Sequence, residues 1–406
     1  MAQINLTLDS EVLKGLFTAE GKDEAFAGFV SAILKQVLNA QASEQVGAGP
    51  YERSEGRQNY RNGSRERAFN TRIGKLRLLV PRLRNGEFCT ELFKRYQRSE
   101  QALLLTMMEM VIQGVSTRNV QAVTEELCGT SFSKSTVSAL CTALDPAVEA
   151  FRNRPLEKWY PFVMVDAIFT KVREGGQVRS KGLMIALGVN EDGRREVLGF
   201  RCEDSESEPG WSNFFSSLKD RGLSNVDMVV SDAHKGLVQA VRKCFQGTAW
   251  QRCQTHFSRN VLDACPKKLK PELHESLNSL YSADDYKTAV LIKDRIVERF
   301  GESAPKAVKT LDEGFEDVLA VLSLPPSIRR RLRTTNGLER LKEELRRRER
   351  VIRIFPNEQS VDRLMGALLM ETNEEWLTGR VYLNLTEYLA QKTQGTDTKK
   401  ELSAAS

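Results

Sequence analysis

PFVMVDAIFTKV, residues 161–172, is an apolar run of strand length and β-rich composition, interrupted by one carboxylate, Asp166. KGLMIALGVN (181–190) and RREVLGFRCE (194–203) read as two further strands, joined by Glu191-Asp192-Gly193 as a hairpin turn. A helix is expected over 205–221, including Trp211, and then VDMVVSDAHKG (226–236) repeats the theme as a buried strand ending at Asp232. A short helix (234–245) and a strand in WQRCQTH (250–256) close the unit. Three strands, helix, strand, helix, strand predicts a mixed sheet of α/β type.

Asp166 and Asp232 share a signature, an apolar strand followed by Asp-Ala, in VMVDA and VVSDA. A carboxylate in a buried strand is costly unless a cation or a full set of hydrogen bonds meets it. One such Asp is often a satisfied structural acid. Two on one sheet, neither flanked in sequence by a basic residue, suggest a bound metal, and oxygen ligands at a strand end suit Mg²⁺ or Mn²⁺.

A third acid is expected from TTNGLERLKEELRRRERVIR (334–353), which reads as a helix seated by Leu338, Leu341 and Leu345. Between residues 329 and 353 there are 11 Lys/Arg against 4 Glu. Alone, this is a solvated helix laced with ion pairs; beside two strand acids, it is a cationic field in which a carboxylate can approach DNA. Arg340 and Arg347 are candidate DNA contacts. Glu339, Glu343 and Arg346 stand at i, i+4 and i+7 on one face, with Arg346 placed to hold the DNA backbone below the ligand. Spacing alone leaves Glu339 and Glu343 open as the ligand.

The whole chain of 406 residues is long enough for two or three domains, with 40% hydrophobic and 28% charged residues. No apolar stretch approaches the ~18 residues of a membrane span, and no signal peptide is apparent at the N-terminus. Seven scattered cysteines without a secretory signal suggest reduced thiols and a cytoplasmic location. The net charge of +6 is concentrated: residues 51–100 carry 13 Lys/Arg against 6 Asp/Glu, a second basic block beside the arginine-rich helix. That distribution favours a polyanionic partner.

Helical periodicity is expected over 8–18 and 23–46, the latter with a broad apolar face (Phe26, Phe29, Val30, Ile33, Leu34, Val37, Leu38) for packing within the chain or against a second copy. Residues 47–68 read as an irregular basic arm whose Arg57, Arg61 and Arg65 are candidates for phosphate or minor-groove contact. A short hairpin is expected over 69–84, with Leu76, Leu78 and Val80 alternating against Arg77 and Leu79. Within 117–148, a helix stopping at Gly129 precedes one capped by Ser133 or Ser135, a helix-turn-helix candidate. Arg118, Ser135 and Thr136 are its expected DNA contacts. The expected domains are N-terminal helices (1–46), basic arm and hairpin (47–99), a helical region (100–155), and the first part of the catalytic core (156–256). A helical insertion (257–335), the Glu-bearing and C-terminal helices of the core (336–390) and a tail (391–406) follow.

Asp166, Asp232 and Glu339 resemble the DDE triad of transposases with an RNase H-like catalytic domain. Tyr60-x-Asn62-Gly63, Gly114–Arg118, Cys253-x-x-His256 and the Thr334–Asn357 block resemble the bacterial insertion-sequence branch of the Mutator superfamily, over residues 51–375. The resemblance selects Glu339, the one followed by Arg, over Glu343. It implies a helical domain inserted between the second Asp and the Glu, and two Mg²⁺ (or Mn²⁺) ions about 3.5–4 Å apart, with Asp166 bridging them. The resemblance further implies phosphodiester hydrolysis followed by transesterification on double-stranded DNA, the terminal inverted repeats and a target. A homodimer pairing two ends is implied. One departure is Lys342, where the family often carries Asn; its effect is expected on DNA contacts, not on the metal ligands.

Cys253 and His256 have zinc spacing, but no second tight pair completes a closed site, so zinc is not expected. A hydrogen-bonding role near the scissile phosphate, or packing, is expected instead. Trp211 and Trp250 are candidates to stack on an unpaired base, with at least one in the core. The competing readings are an RNase H-like metal nuclease that does not join, and a helix-turn-helix regulator whose α/β unit only binds a ligand.

Overall fold

The computed structural model describes residues 22–71, 74–86, 88–90, 92, 101–128 and 132–394. The helix expected over 8–18 and the glycine turn at Gly129 lie outside them. Two compact units, Met1–Ala143 and Leu144–Ser406, are described separately.

In the first unit, α1 (Lys22–Val46) packs on a two-stranded antiparallel hairpin, β1 (Arg61–Thr71) and β2 (Gly74–Leu83). Leu38 meets Phe69, Leu76, Leu78 and Val80 in one apolar cluster, while Arg77 and Leu79 point outward. The broad face expected on α1 is thus narrower, since Phe26 stays exposed. The hairpin also begins eight residues earlier than its alternation indicated. Residues 62–66 are solvent-facing on both sides, so no buried period marks them as strand. About a third of the expected irregular arm, residues 61–68, is therefore β1, and 47–60 is irregular. Three helices follow, α2 (Gln101–Ile112), α3 (Thr117–Cys128) and α4 (Lys134–Cys141), and share a core of Leu103, Met107, Val120, Phe132 and Val137.

The second unit opens with α5 (Asp145–Asn153) and is built on a five-stranded mixed sheet. Its strands are β3 (Phe162–Glu174), β4 (Gln177–Val189), β5 (Arg195–Glu203), β6 (Met228–Ser231) and β7 (Ala249–Arg252), in spatial order β5-β4-β3-β6-β7. β3, β4 and β5 form an antiparallel meander; β6 and β7 join on the other side of β3 in parallel. Alternation along β3 assigns its two faces. Val163, Val165 and Ala167 join a core with Trp211, Phe214, Phe215, Leu237 and Val241 of α6 (Glu208–Asp220) and α7 (Lys235–Cys244). Asp166 therefore lies on the opposite face. Trp211, fully buried there between Phe214 and Phe215, is a core residue.

After β7 come α8 (Gln254–Asp263), α9 (Lys270–Tyr281), α10 (Tyr286–Phe300), α11 (Pro305–Gly314) and α12 (Pro326–Leu332). α8 to α11 close on their own cluster, including Phe257, Leu277, Phe300, Leu311 and Phe315. The chain then returns to the sheet through α13 (Asn336–Ile352) and α14 (Glu358–Thr378). Asn357 and Ser360 form a capping box that starts α14.

Candidate active site

Leu338, Leu341 and Leu345 are buried and seat α13 over the sheet. At its far end the chain doubles back onto β3: Val172 and Phe355 form an isolated parallel bridge, Phe355 N–H donates to Lys171 O at 2.8 Å, and Arg173 N–H donates to Phe355 O at 2.8 Å. Six strand residues from Asp166 to Val172 span about 20 Å, and fourteen helical residues from Glu339 to Arg353 span about 21 Å. The helix therefore runs along the strand, with Glu339 and Lys342 delivered to Asp166.

Asp166 is 5% exposed. Its Oδ1 accepts from the Ala167 N–H at 2.8 Å, and its Oδ2 accepts from Lys342 Nζ at 2.7 Å. The same ammonium donates to Glu339 Oε1 at 3.1 Å. His256 Nε2 lies 3.4 Å from that Glu339 oxygen. One ligand atom from each of Asp166, His256 and Glu339 falls within 4.8 Å of the others, a group that can hold a metal ion. The lysine ammonium already sits among these oxygens as a stand-in cation, which is the fit a divalent ion requires.

Lys342, expected to have no effect on the metal ligands, instead bonds both Asp166 and Glu339, the acids expected to hold the metal. At i+3 from Glu339 it shares the face that looks down on Asp166. Glu343, the competitor, is exposed. Arg346 is exposed as well and lines an open groove with Phe169, Lys171, Arg350 and Arg353, away from the ligand cluster. Arg340 is exposed, while the Arg347 guanidinium is clamped by Glu344 at 2.7 and 3.0 Å.

Asp232 stands just past β6, and its Oδ1 accepts from the His234 N–H at 3.1 Å. It is not part of the 4.8 Å group, but its charge is felt at Asp166. Burial pushes the Asp166 carboxyl above the usual range, Lys342 opposes this, and Asp232 adds to it. Lys342 is held above its ordinary value: burial works against it, and Asp166 and Glu339 outweigh burial. The hydrogen bond with His256 is the main cause that brings Glu339 down to about 2, aided by Lys342 against burial.

The Cys253-x-x-His256 element is not on a strand, as expected, but at a strand-to-helix corner. Cys253 N–H continues the β6 pairing by donating to Ser231 O at 2.7 Å, and then caps α8, so His256 lies in the helix's first turn. The buried Cys253 Sγ accepts from the N–H and hydroxyl of Thr335 at 3.4 and 3.3 Å. Burial acts to raise this thiol, but hydrogen bonding from His256 and Thr335 brings it down to about 7. His256 is raised to about 10, by Cys253 first and Glu339 second, although its Nδ1 finds no partner of good hydrogen-bond geometry. Trp250, half-buried, donates Nε1–H to Ser231 Oγ at 2.9 Å.

Glu206 is a further acid here. Its side chain is 11% exposed and 3.4 Å from His234 Nδ1. Burial raises its carboxyl, His234 opposes, and Asp232 and Asp166 add to the rise. It precedes α6 in a loop without periodicity, which hides it in the sequence.

The expected DNA contacts of the first unit divide. Arg65, Arg118, Ser135 and Thr136 are exposed, and Ser133 caps α4 by accepting from Thr136 N–H at 3.1 Å. Arg61 instead binds its own chain, at Ser43 Oγ (2.6 Å) and Ala48 O (3.1 Å), and Arg57 donates to Glu52 O at 2.6 Å. No helix among the described residues is long and apolar enough to cross a membrane.

The model of the Mutator family of transposases matches residues 1–379. The transposase for insertion sequence element IS256 in transposon Tn4001 of Staphylococcus aureus is 44% identical over 388 residues, 95% of this chain and 99% of that protein. The transposase for element ISRM5 of Rhizobium meliloti is 43% identical over 363 residues (89% and 91%), and that for IS1081 of Mycobacterium tuberculosis is 40% identical over 380 (93% and 92%). With a mixed α/β sheet, a cluster of acids around a cation, and similarity along almost its whole length, this chain belongs to the Mutator family of transposases.

Proposed function

We propose that the chain is a DDE transposase that binds the inverted-repeat ends of its insertion sequence and catalyses metal-dependent strand cleavage and strand transfer. One observation carries the reading: Asp166 and Glu339, 173 residues apart in sequence, meet around a single cation. The strand order β5-β4-β3-β6-β7, a meander followed by two parallel strands, supports an RNase H-like core.

In this reading Asp166, Asp232 and Glu339 hold divalent metal, Mg²⁺ or Mn²⁺. Bound there, the metal supplies charge neutralisation at the phosphate and favours the deprotonated form of the attacking oxygen. Glu339 stays ionised well below neutral pH because His256, aided by Lys342, holds its carboxyl at about 2, and Asp166 is fixed by the rigid strand. His256, raised to about 10, is a cationic donor at neutral pH, aimed at Glu339 in the free protein and placed to meet a phosphate oxygen beside it. Water first displaces the 3′ oxygen at the element's end. The freed 3′-OH then displaces a 3′ oxygen in the target strand. No protein nucleophile takes part, and none stands in the cluster other than the buried Cys253, which is engaged with Thr335.

The end-binding role rests on exposed Arg65, Arg118, Ser135 and Thr136, and a second copy of the chain is proposed to pair the two ends. The test is a cleavage and joining assay on DNA carrying the element's own termini, in Mg²⁺, with Asp166→Asn, Asp232→Asn and Glu339→Gln. Each variant is expected to lose both steps; retained cutting by one removes that residue from the site. Cutting without joining by the unaltered protein would instead favour a simple nuclease.

A further inference from the structure

Lys342 is the unusual part of this cluster. Its side chain is only 10% exposed, and its ammonium bonds Asp166 Oδ2 at 2.7 Å and Glu339 Oε1 at 3.1 Å. A lysine is seldom buried to this degree unless carboxylates surround it. A hard divalent ion drawn to the same two oxygens would approach them to about 2.1 Å, inside the volume the ammonium fills. Ammonium and metal therefore compete for one place.

We propose that Lys342 is an internal counter-cation of the metal-free site, holding Asp166 and Glu339 together until a divalent ion displaces it. The inference rests on the reading of Asp166 and Glu339 as metal ligands. It follows from the architecture: β3 and α13 bring buried Asp166 and half-buried Glu339 together, where they would repel each other and Asp232 without a cation. The lysine removes that repulsion from within α13. It must then rotate off both oxygens when metal binds, which its flexible four-carbon stem permits.

Two consequences of opposite sign follow. Neutralising Lys342 weakens the metal-free fold, because buried Asp166 loses its partner. The same change strengthens metal binding, because a competitor and a like charge are gone. A lysine with only a packing role weakens the fold and leaves metal affinity unchanged or poorer.

The experiment is titration calorimetry with Mn²⁺, together with thermal melts in EDTA and in saturating Mn²⁺, on the full chain and on Lys342→Gln, Lys342→Met and Asp166→Asn. Both Lys342 variants are expected to melt lower in EDTA, to bind Mn²⁺ at least about tenfold more tightly, and to recover most of the lost Tm when Mn²⁺ saturates. A variant that folds only with Mn²⁺ present also supports the proposal, since metal then replaces the lysine. Unchanged or weaker Mn²⁺ binding by folded Lys342 variants, with binding lost in Asp166→Asn, overturns the proposal and leaves the metal reading standing. Failure of both variants to fold in either condition overturns it too. If no protein in the series binds Mn²⁺, the metal reading falls and this inference with it.

Discussion

Phe355 and Val172 are bridged in parallel, with the Phe355 N–H on Lys171 O at 2.8 Å, so the segment after α13 is pinned to the same strand that carries Asp166. The bridge sets the angle at which Glu339 and Lys342 meet Asp166. The Phe355 side chain is fully buried, whereas its neighbour Ile354 is 38% exposed. Phe355→Ala is expected to cost about 3–5 kcal/mol by urea unfolding, and to reduce strand cleavage further than its stability loss explains. Ile354→Ala is expected to stay within about 0.5 kcal/mol. Equal, small effects at the two positions would dismiss the pinning argument.

The acid limb of stability offers a second check. Glu339 is lowered to about 2 from its ordinary 4.5, first by His256. A depressed folded-state value means that Glu339 contributes stability above about pH 4.5 and loses it as pH falls toward 2. In EDTA, the stability gap between the unaltered protein and Glu339→Gln is expected to be widest above pH 4.5 and to close by about pH 2. A gap constant across that range would mean that His256 and Glu339 are not coupled.

The sulfur of Cys253 is the largest cause of the rise in His256 to about 10. Cys253→Ala is therefore expected to bring the His256 midpoint back toward the usual ~6.5, leaving the part owed to Glu339 and Asp166. Histidine side-chain NMR in metal-free protein reads this directly, and the chain has only three His, so assignment is simple. A midpoint unmoved by the substitution would leave the carboxylates of Glu339 and Asp166, not the sulfur, as the cause of the rise.

What the sequence revealed follows the cost of burying charge. Asp166 and Asp232 stood out because a carboxylate inside an apolar strand demands an explanation, and the mixed sheet around them was equally plain in its runs of apolar residues. Glu339 was different. Spacing could not separate it from Glu343, and only family resemblance did; the geometry separates them because the buried leucines turn positions 339 and 342 inward and leave 343 in solvent. Lys342 had a visible signal, its i+3 offset from Glu339, but an acid–base pair on a charged helix usually lies in solvent. The start of β1 was hidden because both of its faces are wet over residues 62–66, and Glu206 because a loop carries no period.

DNA binding by the first unit is testable through salt. Arg118 is exposed at the start of α3, ahead of the exposed Ser135 and Thr136 of α4, whereas Arg61 is already committed to Ser43 and Ala48. Arg118→Ala is expected to weaken binding to the element's ends and to reduce the log–log salt slope by about 1. Arg61→Ala is expected to lower stability more than it alters that slope. The reverse ranking would show that the hairpin, not the helices, grips the backbone.

Gly366 lies inside α14, where alanine would ordinarily be the better helix former by about 1 kcal/mol. Here the surroundings reverse that preference. A Cβ at this position would stand 2.4 Å from Val148 Cγ1 and 2.8 Å from Phe200 Cζ, both on buried side chains, so α14 can lie against β5 and the helix Asp145–Asn153 only because the position is bare. Overpacking a closed core typically costs about 1–3 kcal/mol, enough to outweigh the propensity gain. Gly366→Ala is therefore expected to be destabilising by thermal or urea unfolding, and Gly366→Ala with Val148→Ala to recover part of the loss by opening the space. A Gly366→Ala protein more stable than its parent would mean that α14 is not seated as closely on the sheet as these distances require.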